Sequence, residues 1–287
     1  MDQAQKLRQL VERKRQDLLK PKFKVITISS GKGGVGKTSF VVNLATSLAK
    51  RGLKVGILDA DFGMANVDIM FGCLSKNNIF DVFSGNKTLR EIIIRTEDGI
   101  EIIPGGSGLN KIYNIDEEKK QQLIHQFYEF SNYDLLLIDT GAGASDNVLN
   151  FIEIADDVII ITNSEPTSLT DAYSLIKLIY INNLNSNINV VVNRVKNRNE
   201  AEETFNKIKY TVNNFLQKDI KYLGYITEDL RIGQAIKKQT PYVKEYPNSE
   251  FSLCINKIAS NLLGIQHKNK YSSFLDYLNK FLKVVGK

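Results

Sequence analysis

Eight consecutive residues, Gly31-Lys32-Gly33-Gly34-Val35-Gly36-Lys37-Thr38, carry the strongest chemical signal in this 287-residue chain. Their spacing is the G-x-x-x-x-G-K-[ST] pattern of a phosphate-gripping loop. Glycines let backbone N–H groups turn inward around phosphate oxygens and keep side chains out of the way. The helix that must begin within the loop adds partial positive charge at its N-terminus. Lys37 is then expected to pair with the β- and γ-phosphates and Thr38 to offer its hydroxyl to Mg2+, with Ser39 completing the ATP-binding stretch. The pattern implies ATP or ADP with Mg2+ as cofactors. A glycine-rich turn that binds nothing is disfavoured by the order of apolar strand, loop, Lys-Thr and helix.

Acids follow two other apolar runs. Leu58-Asp59-Ala60-Asp61 leads into Phe62-Gly63-Met64-Ala65-Asn66-Val67-Asp68. Two carboxylates at i and i+2 on a strand point the same way, which suits a Mg2+–water network, with Asp59 in a supporting role. Asp134–Asp139 is a second apolar run ending in an acid, followed by Thr140-Gly141-Ala142-Gly143. An acid at that place holds Mg2+ through water, and the glycines permit a mobile switch segment. Cys73 and Cys254 stand singly, against a disulfide framework or a metal cluster built within one chain. His125 and His267 lie outside every motif.

Elements must exist to bring these groups together. Apolar runs at Lys24–Ser30, Lys54–Leu58, Ile100–Ile103, Asp134–Asp139, Asp157–Thr162, Asn189–Asn193 and Tyr222–Ile226 read as strands, several buried on both faces. Amphipathic stretches at Thr38–Arg51, 117–130, 168–182, 199–216 and 249–263 read as the helices between them. Such alternation predicts a single doubly wound α/β domain, with about seven to eight mostly parallel strands flanked by helices. The domain spans residues 23–266, with a basic arm at 1–22 and a separate terminal helix at 267–287.

The net charge of +6 sits at the ends: residues 1–24 carry a surplus of five positive charges and 268–287 a surplus of four, leaving a body of about −3. An acidic partner is therefore expected at the ends, and a basic body surface for nucleic acid is not. Over residues 270–287, Phe274, Leu275, Leu278, Phe281 and Leu282 share one wide helical face with Tyr271, Tyr277, Val284 and Val285, while Lys280, Lys283 and Lys287 fall opposite. A basic amphipathic helix of this kind suits an anionic membrane surface, and two of them held in a dimer gain avidity. The competing account is a helix docked on its own domain. No run of 18 apolar residues and no secretory centre is present, so the expected location is the cytoplasm, reversibly peripheral at the inner face of the cell membrane.

The lysine at the second loop position, giving K-G-G-V-G-K-T, resembles the MinD/ParA branch of P-loop ATPases. The resemblance implies that Lys32 reaches a partner's nucleotide across an ATP-bound homodimer. It also implies that Asp61 positions the attacking water, that Asn193 hydrogen-bonds the adenine, and that hydrolysis is slow and times a dimer-to-monomer switch. The arm pattern Asp2-Gln3-Ala4-Gln5-Lys6-Leu7-Arg8, together with D-A-D-F-G-M-A-N-V-D and the basic terminal helix, looks like the FlhG (FleN/YlxH) family that sets flagellar number and position. That likeness implies an arm that stimulates the FlhF GTPase through Gln3, and contacts with flagellar switch (C-ring) proteins. The alternatives are a MinD-like division-site regulator, a ParA-type DNA partition ATPase, and a nucleotide-gated, non-enzymatic regulator of a transcriptional activator.

Overall fold

The computed structural model describes residues 24–62, 66–106, 126, 133–185, 187–264 and 280. Eight strands form one sheet: β1 (Lys24–Ser30), β2 (Val55–Ala60), β3 (Ile94–Arg95), β4 (Glu101–Ile103), β5 (Leu135–Ala142), β6 (Asp157–Thr162), β7 (Ile188–Val195) and β8 (Lys221–Thr227). Their spatial order is β3-β4-β2-β5-β1-β6-β7-β8. Every pairing is parallel except that of β3 with β4. The order reverses about β1: β5 lies on one side of it and β6 on the other, which opens a crevice at the carboxyl ends of these strands.

Unbroken runs such as Asp157–Thr162 are buried along their whole length because helices cover both faces. One face carries α1 (Lys37–Ala49) and the long final helix described below; the other carries three helices that follow β5, β6 and β7. These are α5 (Asp146–Ile154), α6 (Pro166–Ile181) and α7 (Arg198–Leu216). Short helices α2 (Val67–Met70), α3 (Ile79–Phe83) and α4 (Leu89–Ile92) lie between β2 and β3. After β8 come α8 (Ile232–Lys237), α9 (Tyr242–Glu245) and α10 (Glu250–Gly264). The buried apolar residues accordingly divide into two clusters: Ile26, Phe40, Leu44 and Ile255 belong to one, Val25, Phe151, Ile176 and Ile208 to the other.

The fold class matches the expectation from alternation, with three differences in detail. The antiparallel strand Ile94–Arg95 has only two residues, too short for a period-2 pattern. Helix Asp146–Ile154 follows its strand after three residues of turn and was hidden by its mixed composition. Strand β2 continues through Asp59 and Ala60, because pairing with Asp139 and Thr140 on β5 satisfies its backbone to that point. Of the helix expected over 117–130, only Gln126 is among the described residues; its Oε1 accepts a hydrogen bond from Leu89 N at 2.8 Å. The arm 1–22 and the tail 267–287 lie outside the described residues, Lys280 excepted.

Phe151 ties one helical layer to the site. It is 1% exposed, its carbonyl accepts a hydrogen bond from Thr27 Oγ1 on the central strand at 2.8 Å, and its ring meets Phe62, next to Asp61, at 5.9 Å. A Phe151→Ala chain is expected to lose about 3–5 kcal/mol of unfolding free energy. Urea denaturation checks this; a loss below about 1 kcal/mol would mean the layer is not packed as described.

Candidate functional site

The phosphate loop leaves the end of β1 and runs directly into α1. Gly36, the residue before the helix, has φ 93° and Gly34 has φ 78°, left-handed conformations that side chains resist. Space matters as much as torsion. A Cβ on Gly31 would stand 2.2 Å from the Asp171 carbonyl carbon of α6, and one on Gly36 would stand 2.5 Å from Asn193 Nδ2. Gly31 is therefore required by the close passage of α6. Gly33 and Gly34 are exposed, so the tip of the loop faces outward.

Lys37 and Asp139 form a buried ion pair, Nζ to Oδ1 at 2.8 Å, with side chains 8% and 1% exposed. Burial pushes the Asp139 carboxyl up from its ordinary value and nearby Asp61 adds to this; the Lys37 ammonium and the Thr38 hydroxyl pull the other way. Asp59 pairs in register with Asp139 on the neighbouring strand. Its carboxyl is pushed up to about 7, first by burial and then by Asp139, against three backbone donors. Those donors are Asp61 N at 3.2 Å, Asn66 N at 2.9 Å and Val67 N at 3.1 Å.

Here the geometry corrects one expectation. Asp59 and Asp61 are not a same-facing pair on a strand, because β2 ends at Ala60 and Asp61 begins the following turn. Asp59 turns to the backbone of that turn and shapes it, while a Cβ on Gly141 would stand 3.6 Å from Asp61 Oδ1, so Asp61 lies over the carboxyl end of β5. Asp59 is thus joined to the turn that carries Asp61 through the main chain.

Thr38, Asp61 and Asp139 converge, and their donors are hard oxygens of the type magnesium takes. Burial first, and then the charge of a neighbouring acid (Asp139 for Asp59, Asp61 for Asp139), raises both carboxyls; a divalent cation would offset this, so the residues fit the ion. Among the described residues no three His, Cys, Asp or Glu side chains form a ready-made cage. Magnesium commonly fills such a shell with water and substrate phosphate oxygens.

Lys32 is directed elsewhere. Its Nζ binds Glu165 Oε2 at 2.8 Å and Thr167 Oγ1 at 3.0 Å, both at the start of α6. Asn193 is 6% exposed and turned to the loop: its Nδ2 donates to Val35 O at 2.7 Å and its Oδ1 accepts from Arg194 N at 2.9 Å. In this structure the amide braces the phosphate loop; the expected adenine contact would draw on its second N–H and remaining lone pair. Past β8, Arg231 holds Asp229 through Nε at 3.0 Å and Nη2 at 2.6 Å and lies over the Tyr246 ring, which keeps the Asp229 carboxyl well below the usual range. Glu165, Thr167 and Arg194 were not singled out from the sequence. The signal available was Glu165-Pro166, an acid before a helix-opening proline at a strand's carboxyl end.

Of the terminal-helix residues, Gln3's counterpart at the other end of the chain, only Lys280 is described; its Nζ lies 3.2 Å from Glu153 Oε1 on α5. Phe274, Leu275, Leu278, Phe281, Leu282 and Lys283, like Gln3 itself, lie outside the described residues. No helix among the described residues is long and apolar enough to cross a membrane. A separate concavity of 630 Å3 between β8 and α10, lined by Tyr222, Tyr225, Leu253 and Asn261, contains none of the expected site residues.

With this geometry in place, known proteins can be set beside it. The ParA family, described as NUBPL iron-transfer P-loop NTPase, matches residues 22–263. The chain belongs to the ParA/MinD family of P-loop NTPases. It is 36% identical over 239 residues to the antiactivator FleN of Pseudomonas aeruginosa, covering 83% of this chain and 85% of that one. It is also 36% identical over 244 residues to the flagellum site-determining protein YlxH of Helicobacter pylori, covering 84% and 82%. Among solved structures, the septum site-determining protein MinD from Pyrococcus horikoshii, complexed with Mg-ADP, aligns with a TM-score of 0.68 at 28% identity, covering 86% of this chain and 99% of that one. MinD in the Aquifex aeolicus MinC:MinD complex aligns at 0.67 and 28%, covering 86% and 98%.

The raised Asp59 carboxyl has a pH consequence for the nucleotide-free protein. Because the folded chain holds this proton more tightly than the unfolded one, Asp59's contribution is fully present below the ordinary value of 3.8 and is lost as pH rises toward about 7. Denaturant midpoints of wild type and Asp59→Asn, whose amide mimics the protonated carboxyl, are therefore expected to lie close at low pH and to separate as pH climbs through that window, wild type falling below the variant. A constant gap between the two would show that Asp59 does not titrate there.

Proposed function

We propose that this chain is a Mg2+-dependent ATPase of the FleN/YlxH type, which pairs on binding ATP, associates with membrane as a pair, and regulates the number and placement of flagella. The observation that carries the ATPase reading is the convergence of Lys37, Thr38, Asp61 and Asp139 at the carboxyl ends of three adjacent strands. In this reading the triphosphate draws Lys37 from Asp139, and loop N–H groups and Lys37 offset the charge on the γ-phosphoryl group. Magnesium, held by Thr38 and through water by Asp139, would supply further charge neutralisation. Asp61, seated on the turn that Asp59 shapes, orients the attacking water. Lys32, 40% exposed at the loop rim, crosses to the partner's nucleotide, so that hydrolysis is slow and tied to pairing.

The flagellar part rests on the likeness to FleN and YlxH over more than four-fifths of the chain and on the arm pattern around Gln3. By that likeness the arm stimulates the FlhF GTPase, the terminal helix with Lys280 and Lys283 meets anionic lipid, and flagellar C-ring proteins are further partners. The body's mild negative charge favours this over DNA partition.

An Asp61→Ala protein is expected to bind ATP but release phosphate at least about 100-fold more slowly, the usual weight of a positioned acid–base group. Release at the wild-type rate removes Asp61 from the mechanism. Sedimentation of the full chain with anionic vesicles is expected with ATP and not with ADP, and to vanish when residues 270–287 are deleted. Equal binding with either nucleotide refutes the switch. A peptide of residues 1–20 should accelerate the FlhF GTPase, and Gln3→Ala should abolish that acceleration.

A further inference from the structure

Two buried hydroxyls stand next to Asp139, and neither belongs to the phosphate loop or to the group of acids. Ser29 is one step along β1 from Ile28, the residue in register with Asp139, and Thr140 is one step along β5. Both side chains are 0% exposed, and their oxygens lie 2.8 Å apart. Thr140 also separates Asp139 from Gly141, the glycine that Asp61 approaches.

The strands explain why hydroxyls are needed here. Over this stretch β1 advances from Ile28 to Ser30 while β5 advances from Asp139 to Ala142, so β5 carries one residue that the ladder does not pair. Such a bulge interrupts the backbone bonding and bends its strand, and bulges gather beside functional sites. Beyond it the main chain re-engages, with Gly143 N donating to Ser30 O at 2.9 Å. Across the gap, side chains take the place of the missing ladder. Thr140 Oγ1 lies 3.1 Å from Ile28 O and 2.9 Å from Gly141 O, and its single hydrogen serves one of the two at a time. Ser29 then donates to Thr140, so that both hydroxyl hydrogens are used. Gly141 has no side chain with which to hold itself in place.

We propose that the Thr140 hydroxyl, backed by Ser29, is a positioning group for hydrolysis: it holds the bulged Thr140–Gly141 segment so that Asp61 keeps its place relative to Asp139. This rests on the reading in which Asp61 orients the attacking water. The hydroxyl is buried and acts through the main chain of β5, whereas the grip on phosphate belongs to the loop and Lys37. Its loss is therefore felt in the rate and not in nucleotide binding.

The test is phosphate release from Mg-ATP by the full chain, read as kcat and KM, with urea midpoints for stability. Thr140→Val keeps the shape and removes the hydroxyl. It is expected to lower kcat about tenfold with KM within about twofold, since small displacements of a reacting group weigh heavily on rate. Thr140→Ser retains the hydroxyl and is expected to stay within about threefold of wild type in kcat. Thr140→Val also strands the Ser29 hydroxyl in the core and lowers the urea midpoint; adding Ser29→Ala is expected to restore the midpoint but not the rate. In an Asp61→Ala background, Thr140→Val is expected to slow release no further. A wild-type kcat in Thr140→Val overturns the proposal. So does Thr140→Ser as slow as Thr140→Val, a rate that returns with stability in the double variant, or a further loss in the Asp61→Ala background. Asp61→Ala tells two failures apart: wild-type release there removes Asp61 and the proposal with it, whereas slow release there beside an unaltered Thr140→Val refutes only the positioning role.

Discussion

At the carboxyl ends of β1 and β5, a buried ammonium and a buried carboxylate lie 2.8 Å apart. Neither Lys37 nor Asp139 would be tolerated there alone, since an unpaired charge in a protein interior costs several kcal/mol. The pair joins the first residue of α1 to β5, across the loop that curls over the strand ends. It also explains why nucleotide fits. A triphosphate with its magnesium supplies one anion and one cation, so it can part Lys37 from Asp139 and give each a new partner without leaving either unpaired.

The other acids are arranged around this exchange. Asp59 is held next to Asp139 by strand register, where its charge is disfavoured, and three backbone N–H groups compensate. Those N–H groups belong to the turn that carries Asp61, so the electrostatics of one strand end and the placement of the next acid are one problem. Phe62 and Phe151 pack beneath the turn, which links it to the apolar layer under α5. Lys32 stands apart from the buried charges. It is partly exposed and paired with Glu165 at 2.8 Å, at the rim of the loop.

The similarities to FleN, to YlxH and to MinD each cover more than four-fifths of the chain. The flagellar reading leans on the likeness to FleN and YlxH, on the arm pattern around Gln3 and on the basic terminal segment. Lys280 contacts Glu153 of α5.

Much was legible in the residues themselves. Glycine spacing with Lys-Thr identified the loop because the requirement is local: consecutive N–H groups and one helix start are encoded by neighbours in the chain. Unbroken Val/Ile/Leu runs disclosed strands covered on both faces, for the same short-range reason. What the chain order could not express were contacts made across the fold. That Asp59 serves the backbone of residues 61, 66 and 67, that Asn193 braces Val35, that Gly31 makes room for Asp171, and that Lys32 meets Glu165 all depend on how parallel strands order themselves. Residues separated by 133 to 158 positions are brought together only when β1 comes to lie between β5 and β6, with β7 beyond β6. Local spacing determined which groups could do chemistry; strand order decided which of them touch, because side-chain interactions act over a few ångströms of space.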